Sequence, residues 1–263
     1  MGAGGGHLPA PLVVMALLPL AMACVAFLYA SVGHAGASGY IAVLALAGWS
    51  PALIKPAALA LNALVASLGC WNFLRAGHFP ARRFVAVYAL AVPLAFVGGW
   101  LQIPGPWFER LVGLVLWGSA WRLGQTPQDP PTLRPTSVTA LLSVGGGLGL
   151  LAGLTGTGGG VFLTPCLLMA RWCTTRQAAA VSVLFILLNS LAGLAGLLWA
   201  RPRALDPLWA EPLLLWIAPA VLVAGALGSR LGSRHWPVAW IRRALALVLL
   251  LAGGKLLGLP PLR

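Results

Sequence analysis

Two stretches of this chain combine hydroxyls, a histidine and clustered glycines: Gly33-His34-Ala35-Gly36-Ala37-Ser38-Gly39 and Leu154-Thr155-Gly156-Thr157-Gly158-Gly159-Gly160. Glycine reaches backbone angles closed to other residues. Gly33, Gly36, Gly39, Gly156, Gly158, Gly159 and Gly160 can therefore turn the chain sharply and bare its amide N–H groups. A helix that starts after such a turn aims free N–H groups and the positive end of its dipole at the break, which suits an anion. Ser38, Thr155 and Thr157 add hydroxyl donors. His34 can carry a charge or a proton near neutral pH, or be a hydrogen-bonded structural residue. The bland reading of the glycines is close helix packing, and Gly145, Gly149 and Gly153, four apart, read most simply that way.

Four more residues belong with these candidates. Asn62 and Asn189 lie inside long apolar runs, where an amide either pairs with a neighbouring helix or lines a cavity. Lys55 and Arg176 follow the two short apolar pieces at matched positions. They read as charges on an anion's entry path or as interfacial anchors.

The elements that position these residues are membrane helices. The chain is 60% hydrophobic and 8% charged, with a mean hydropathy of +0.91. Soluble domains carry about 25% charged residues, so the chain is read as an integral membrane protein. Its apolar runs are continuous rather than alternating, which indicates helices and not an outer-membrane barrel. The net charge of +13 does not point to nucleic acid. Arg82, Arg83, Arg201, Arg203, Arg242 and Arg243 sit at the ends of apolar runs, where membrane helices place anchors.

The four acids, Glu109, Asp129, Asp206 and Glu211, fall in loops or at helix ends. A cation pump or an acid-based proton relay places carboxylates inside the bundle, and paired carboxylates for hydrolysis are missing too. Cys24, Cys70, Cys166 and Cys173 form no metal-binding spacing and read as apolar packing. No cofactor and no metal is expected. No Lys or Arg precedes Lys55, so the basic segment of a signal peptide is missing and the first apolar run is expected to be retained. Abundant Ala, Gly, Pro and Arg suggests a bacterial chain from a GC-rich genome.

A spanning helix needs about 20 apolar residues. Runs of that order occupy 12–32, 53–73, 84–102, 107–123, 137–154, 175–199, 211–230 and 238–258. Two pieces, 39–49 and 160–170, are only about ten residues long and read as re-entrant or half helices. The expected fold is an all-α polytopic membrane protein with about eight spanning helices and two short ones.

The breaks also mark a duplication. At one constant offset, Gly39 falls on Gly160, Leu46 on Leu167, Lys55-Pro56-Ala57-Ala58 on Arg176-Gln177-Ala178-Ala179, and Arg122 on Arg243. With a slightly longer offset, Pro93 and Gly99 fall on Pro219 and Gly225. The expected division is a first repeat over 1–124, a polar, proline-rich linker over 125–135 and a second repeat over 136–263. Repeat orientation stays open. Segment length favours parallel repeats, while the distribution of Lys and Arg favours inverted ones with the N-terminus outside.

Gly33 through Tyr40, Lys55 through Asn62, Arg75-Ala76-Gly77-His78-Phe79 and Gly156 through Pro165 together resemble the sulfite exporter TauE/SafE family of bacterial permeases. The first half departs from the pattern. Leu44 stands where Pro165 stands in the second half, and the glycine run is thinned to spaced glycines around His34. The resemblance implies a secondary carrier for sulfite, sulfonates or other small organosulfur or carboxylate anions.

The expected function is thus a permease of the cytoplasmic membrane that binds a small anion where the two breaks meet. His34, Lys55 and Arg176 are the candidates for proton or charge control. The expected partners are the anion, the bilayer, a coupling proton or ion and a second copy of the chain. An anion channel, a membrane enzyme using His34 and a purely anchoring subunit are the competing readings.

Overall fold

A computed structural model describes residues 10–31, 33–79, 82–101, 103–124, 132–232, 246–247, 249–250, 253–254 and 256–258. These residues are all-helical, without strands. Residues 125–131 of the expected linker and most of the last expected span, 238–258, lie outside this set.

The apolar runs become α1 (Ala10–Ala30), α3 (Pro51–Arg75), α4 (Val85–Trp100), α5 (Gly105–Gly124), α6 (Val138–Thr155), α8 (Thr175–Ala200) and α10 (Pro212–Gly232). The two short pieces become α2 (Ala37–Leu46) and α7 (Gly160–Met169), and a single turn, α9 (Asp206–Trp209), was not expected. Local chemistry sets several starts. Pro51 opens α3 at a position that needs no N–H donor. Thr174 and Gln177 form a reciprocal capping box at the start of α8, with Thr174 N–H donating to Gln177 Oε1 at 3.2 Å. Among the described helices, α3, α6, α8 and α10 are long and apolar enough to cross a membrane.

The helix directions follow from their contacts. Asn62 meets Ser190, Leu59 meets Gly193 and Gly69 meets Val183, so α3 and α8 run antiparallel. Tyr88 reaches Val181 while Gly99 meets Gly193, so α4 runs with α8. Gly145 packs on Val87, Gly149 on Ala91 and Gly153 on Ala95, so α6 runs with α4 and hence with α8. The chain then reverses. Gly158 lies against Ile186 and Ser190, and Gly160 against Ile186 and Ser182, so α7 runs back along the first half of α8. The first half repeats this zigzag. Ser38 meets Tyr29 and Gly39 meets Val25, so α2 returns along α1 before α3 reverses again.

Each ten-residue half helix is about 15 Å long, roughly half a bilayer core. Their first residues lie beside Asn62 and Ser190, which sit near the midpoints of α3 and α8. The long arms α1 and α6 continue past that level to two tips. One tip, at Gly33, touches Ala179 of the α7–α8 pair; the other, at Gly156, touches Lys55 of the α2–α3 pair. Each tip is thus lodged in the other hairpin.

The glycine strip of α6 is a packing strip. A side chain on Gly145, Gly149 or Gly153 would run into the backbone of α4, so the two helices meet main chain to main chain. Overpacking of this kind costs about 1–3 kcal/mol. Gly149→Val should therefore lower the unfolding temperature in detergent, whereas Gly147→Val, which faces open space, should leave it unchanged.

Candidate functional site

The two breaks meet at the crossing of α3 and α8. Gly36 and Gly159 precede the half helices with φ of 104° and 72°, left-handed angles that free the first amides of α2 and α7. Gly39 and Gly160 do not carry such angles. They are helical, and they are small because Val25 and Tyr29 crowd the first and Ile186 the second. The sequence reading of these two as turn-makers is corrected accordingly.

Residues 33–39 and 155–160 are all buried in protein, which is the condition for irregular backbone at membrane depth. His34 is 6% exposed and crosses to the second half. Its Nε2 lies 3.2 Å from Gly160 O and 3.2 Å from Thr164 Oγ1, and Thr164 is joined to Ser182 at 2.7 Å. A carbonyl only accepts, so Nε2 carries the proton that binds Gly160 O. Sequence reasoning missed Thr164, a hydroxyl placed one turn into α7 opposite His34.

In the first break, the groups around Asn62 have partners. Asn62 Oδ1 accepts the Ala37 N–H at 3.2 Å, capping α2, and Asn62 Nδ2 donates to Ser190 Oγ at 3.0 Å. Ser38 pairs with Tyr29 at 3.0 Å, and Tyr40 donates to Ala35 O at 2.7 Å. The space beside Gly36 is taken by the Tyr40 ring.

The second break differs. Thr155 and Thr157 pair with each other at 2.9 Å, and Thr155 also donates to Leu151 O at 2.7 Å. Phe162 and Leu163 N–H turn back onto Gly159 O. Asn189, fully buried, makes no hydrogen bond with either amide atom. It lies on the face of α8 that carries Phe185 and Ile186, the neighbours of Gly159 and Gly160. Buried amides are nearly always partnered. Asn189 is an exception to that rule. The sequence holds a trace of this difference: Asn189 is followed by Ser190, but Asn62 by Ala63. The hydroxyl that Asn62 finds across the helix pair has no equivalent for Asn189.

Lys55 and Arg176 also diverge. Arg176 is exposed. Lys55 is 8% exposed and donates to Gly98 O at 3.2 Å and Gly99 O at 3.4 Å, the last carbonyls of α4, where the helix dipole favours a cation. It lines a cavity of about 760 Å³ at the α3 start and α8 end. His34 lies on the other side of the mid-height level.

The family model described as Sulfite exporter TauE/SafE matches residues 17–256. The chain belongs to the sulfite exporter TauE/SafE family. It is 37% identical over 254 residues to the probable membrane transporter protein y4hK of Sinorhizobium fredii (strain NBRC 101917 / NGR234), covering 91% of this chain and 97% of that protein. No solved structure matches it significantly. This TauE/SafE chain is a multi-pass membrane transporter.

The contrast between the two asparagines is directly measurable in this TauE/SafE protein. Removing a partner from a buried hydrogen bond costs about 1–3 kcal/mol, while replacing an unsatisfied amide with an apolar group of similar shape is neutral or stabilising. Asn62→Leu should therefore lower the unfolding temperature in detergent. Asn189→Leu should hold or raise it.

Proposed function

We propose that this protein is a secondary carrier of the bacterial cytoplasmic membrane. Its cargo is a small anion such as sulfite or a sulfonate, bound at the second break. The open amide of Asn189 carries this reading. The reading groups it with the backbone amides of Gly158, Gly159 and Gly160, which hold an oxyanion without a buried charge; Thr155 donates to Leu151 O and accepts from Thr157, so these two hydroxyls shape the break beside them. The first break, with Gly33, Gly36, Ser38, Gly39 and Asn62, holds the scaffold. His34 ties it to α7 and is the candidate for charge or proton control.

The zigzags support a duplicated chain with inverted halves. The reading is that each arm and its half helix, α1 with α2 and α6 with α7, leave and return on one side. Three crossings then remain in each half: α3, α4 and α5, and α8, α10 and the expected last span over 238–258. An odd number of crossings makes the repeats inverted. Packing of α1 on α10 mirrors that of α6 on α4, and α2 on α3 mirrors α7 on α8. On this reading six segments cross fully where the sequence suggests eight, because a run long enough to cross need not cross when the next segment returns beside it. Alternating access arises as one half moves against the other.

The test is uptake of radiolabelled sulfite by proteoliposomes. Hydrogen bonds to a charged group contribute about 1.5–3 kcal/mol, so Asn189→Leu should reduce flux at least about tenfold. Gly159→Val, which puts a side chain against Phe185 at a left-handed position, should abolish it. Wild-type flux in a correctly folded Asn189→Leu protein overturns the site.

A further inference from the structure

The cavity beside Lys55 is not part of the break site, and its lining differs in kind. About 760 Å³ in volume, it is lined in part by Lys55, Arg201, Arg203, Phe108, Leu154 and Leu197. Lys55 uses two of its three ammonium donors on Gly98 and Gly99 carbonyls. Among the described residues, no carboxylate makes an ion pair with Lys55, Arg201 or Arg203. Asp206 is exposed and is not part of the lining. A buried ammonium without a counter-ion is costly, so the cavity attracts an anion. Helix α3 adds to this, because its first turn, at Ser50–Ala52, lines the same space and Ser50 does not cap it.

Size and polarity narrow the occupant. Most of the remaining lining is apolar, from aliphatic side chains, Phe108 and prolines at both rims. At about 30 Å³ per water-sized group, a bare oxyanion of four or five heavy atoms fills roughly a fifth of the volume. The volume falls within the range of about 300–1,000 Å³ typical of organic-ligand sites. The floor of the cavity is the tip of α6: Leu154 lines it, and Gly156 packs on Lys55.

We propose that this cavity is a second anion site, an antechamber to the break, which accepts organic anions with an apolar body. The acid head sits between Lys55 and Arg201. The body lies against Phe108, Leu154 and Leu197. The antechamber selects for hydrocarbon length, and the break site beyond it reads only the head. The proposal rests on the reading of the chain as an anion carrier, but its test needs no flux.

Methane-, butane- and hexanesulfonate, hexanoate and neutral hexanol are titrated by calorimetry against purified protein in phosphatidylcholine nanodiscs. Burial of a methylene gives up to about fourfold in affinity. The dissociation constant should fall about two- to threefold per methylene from methane- to hexanesulfonate. Hexanoate should bind like hexanesulfonate, and hexanol should not bind. Arg201→Gln, at an exposed position, should weaken hexanesulfonate at least fivefold, and Phe108→Ala should flatten the length dependence. Equal affinity along the series, or wild-type affinity in Arg201→Gln, overturns the antechamber and leaves the break site standing. Loss of hexanesulfonate binding when phosphatidylglycerol is added assigns the cavity to a lipid headgroup and also overturns it. Wild-type sulfite flux in a correctly folded Asn189→Leu protein overturns the break site alone.

Discussion

At the centre of the molecule, one amide side chain joins three helices. Asn62 accepts the first amide of α2 with its oxygen and donates to Ser190 of α8 with its nitrogen. It therefore fixes where α2 starts on α3 and where α3 crosses α8. Both partners are buried, and the medium around such a bundle offers no water to replace a lost bond. Everything else at the break level is registered to that crossing. Gly158 packs directly on the Asn62 amide, and His34 spans from the first break to Gly160.

Around this crossing, the helices meet through glycine rather than through interdigitated side chains. Gly98, Gly99, Gly153, Gly193 and Gly196 bring α4, α6 and α8 into main-chain contact. In a lipid environment, apolar side chains gain little by leaving the lipid for one another, so close backbone packing supplies much of the association. The result is a rigid wall, with the cavity at one end of it. Arg75 lies over Trp71 at 4.4 Å and Arg110 over Trp107 at 5.3 Å. Such Arg–Trp pairs suit an interfacial aromatic belt.

Much of this was legible in the sequence, and particular residues show where legibility ended. The breaks and the half helices were visible because glycine clusters interrupt apolar runs and leave pieces too short to cross. The packing role of Gly145, Gly149 and Gly153 was visible from their spacing. The difference between Asn62 and Asn189 left only the trace of Ser190 beside the second, since both are asparagines within apolar runs. It depends on which hydroxyl stands opposite, a tertiary fact. Lys55 and Arg176 looked equivalent for the same reason, and only the placement of α4 buries one of them. Helix direction was hidden as well, because hydropathy measures the length of a run and says nothing of whether the chain turns back.

The mutual lodging of the two tips bears on how the protein is made. His34 finds its acceptors at Gly160 and Thr164, and Ser190 supplies the hydroxyl that Asn62 requires. All three come from the part of the chain synthesised last. Until α7 and α8 emerge, the first break is a polar turn with open bonds in an apolar medium. The first half must wait, held by the insertion machinery or at the bilayer edge, and the final closing of its break is a late event in biogenesis. A nascent chain stopped in the linker should remain sensitive to membrane quality control however well its own helices have formed.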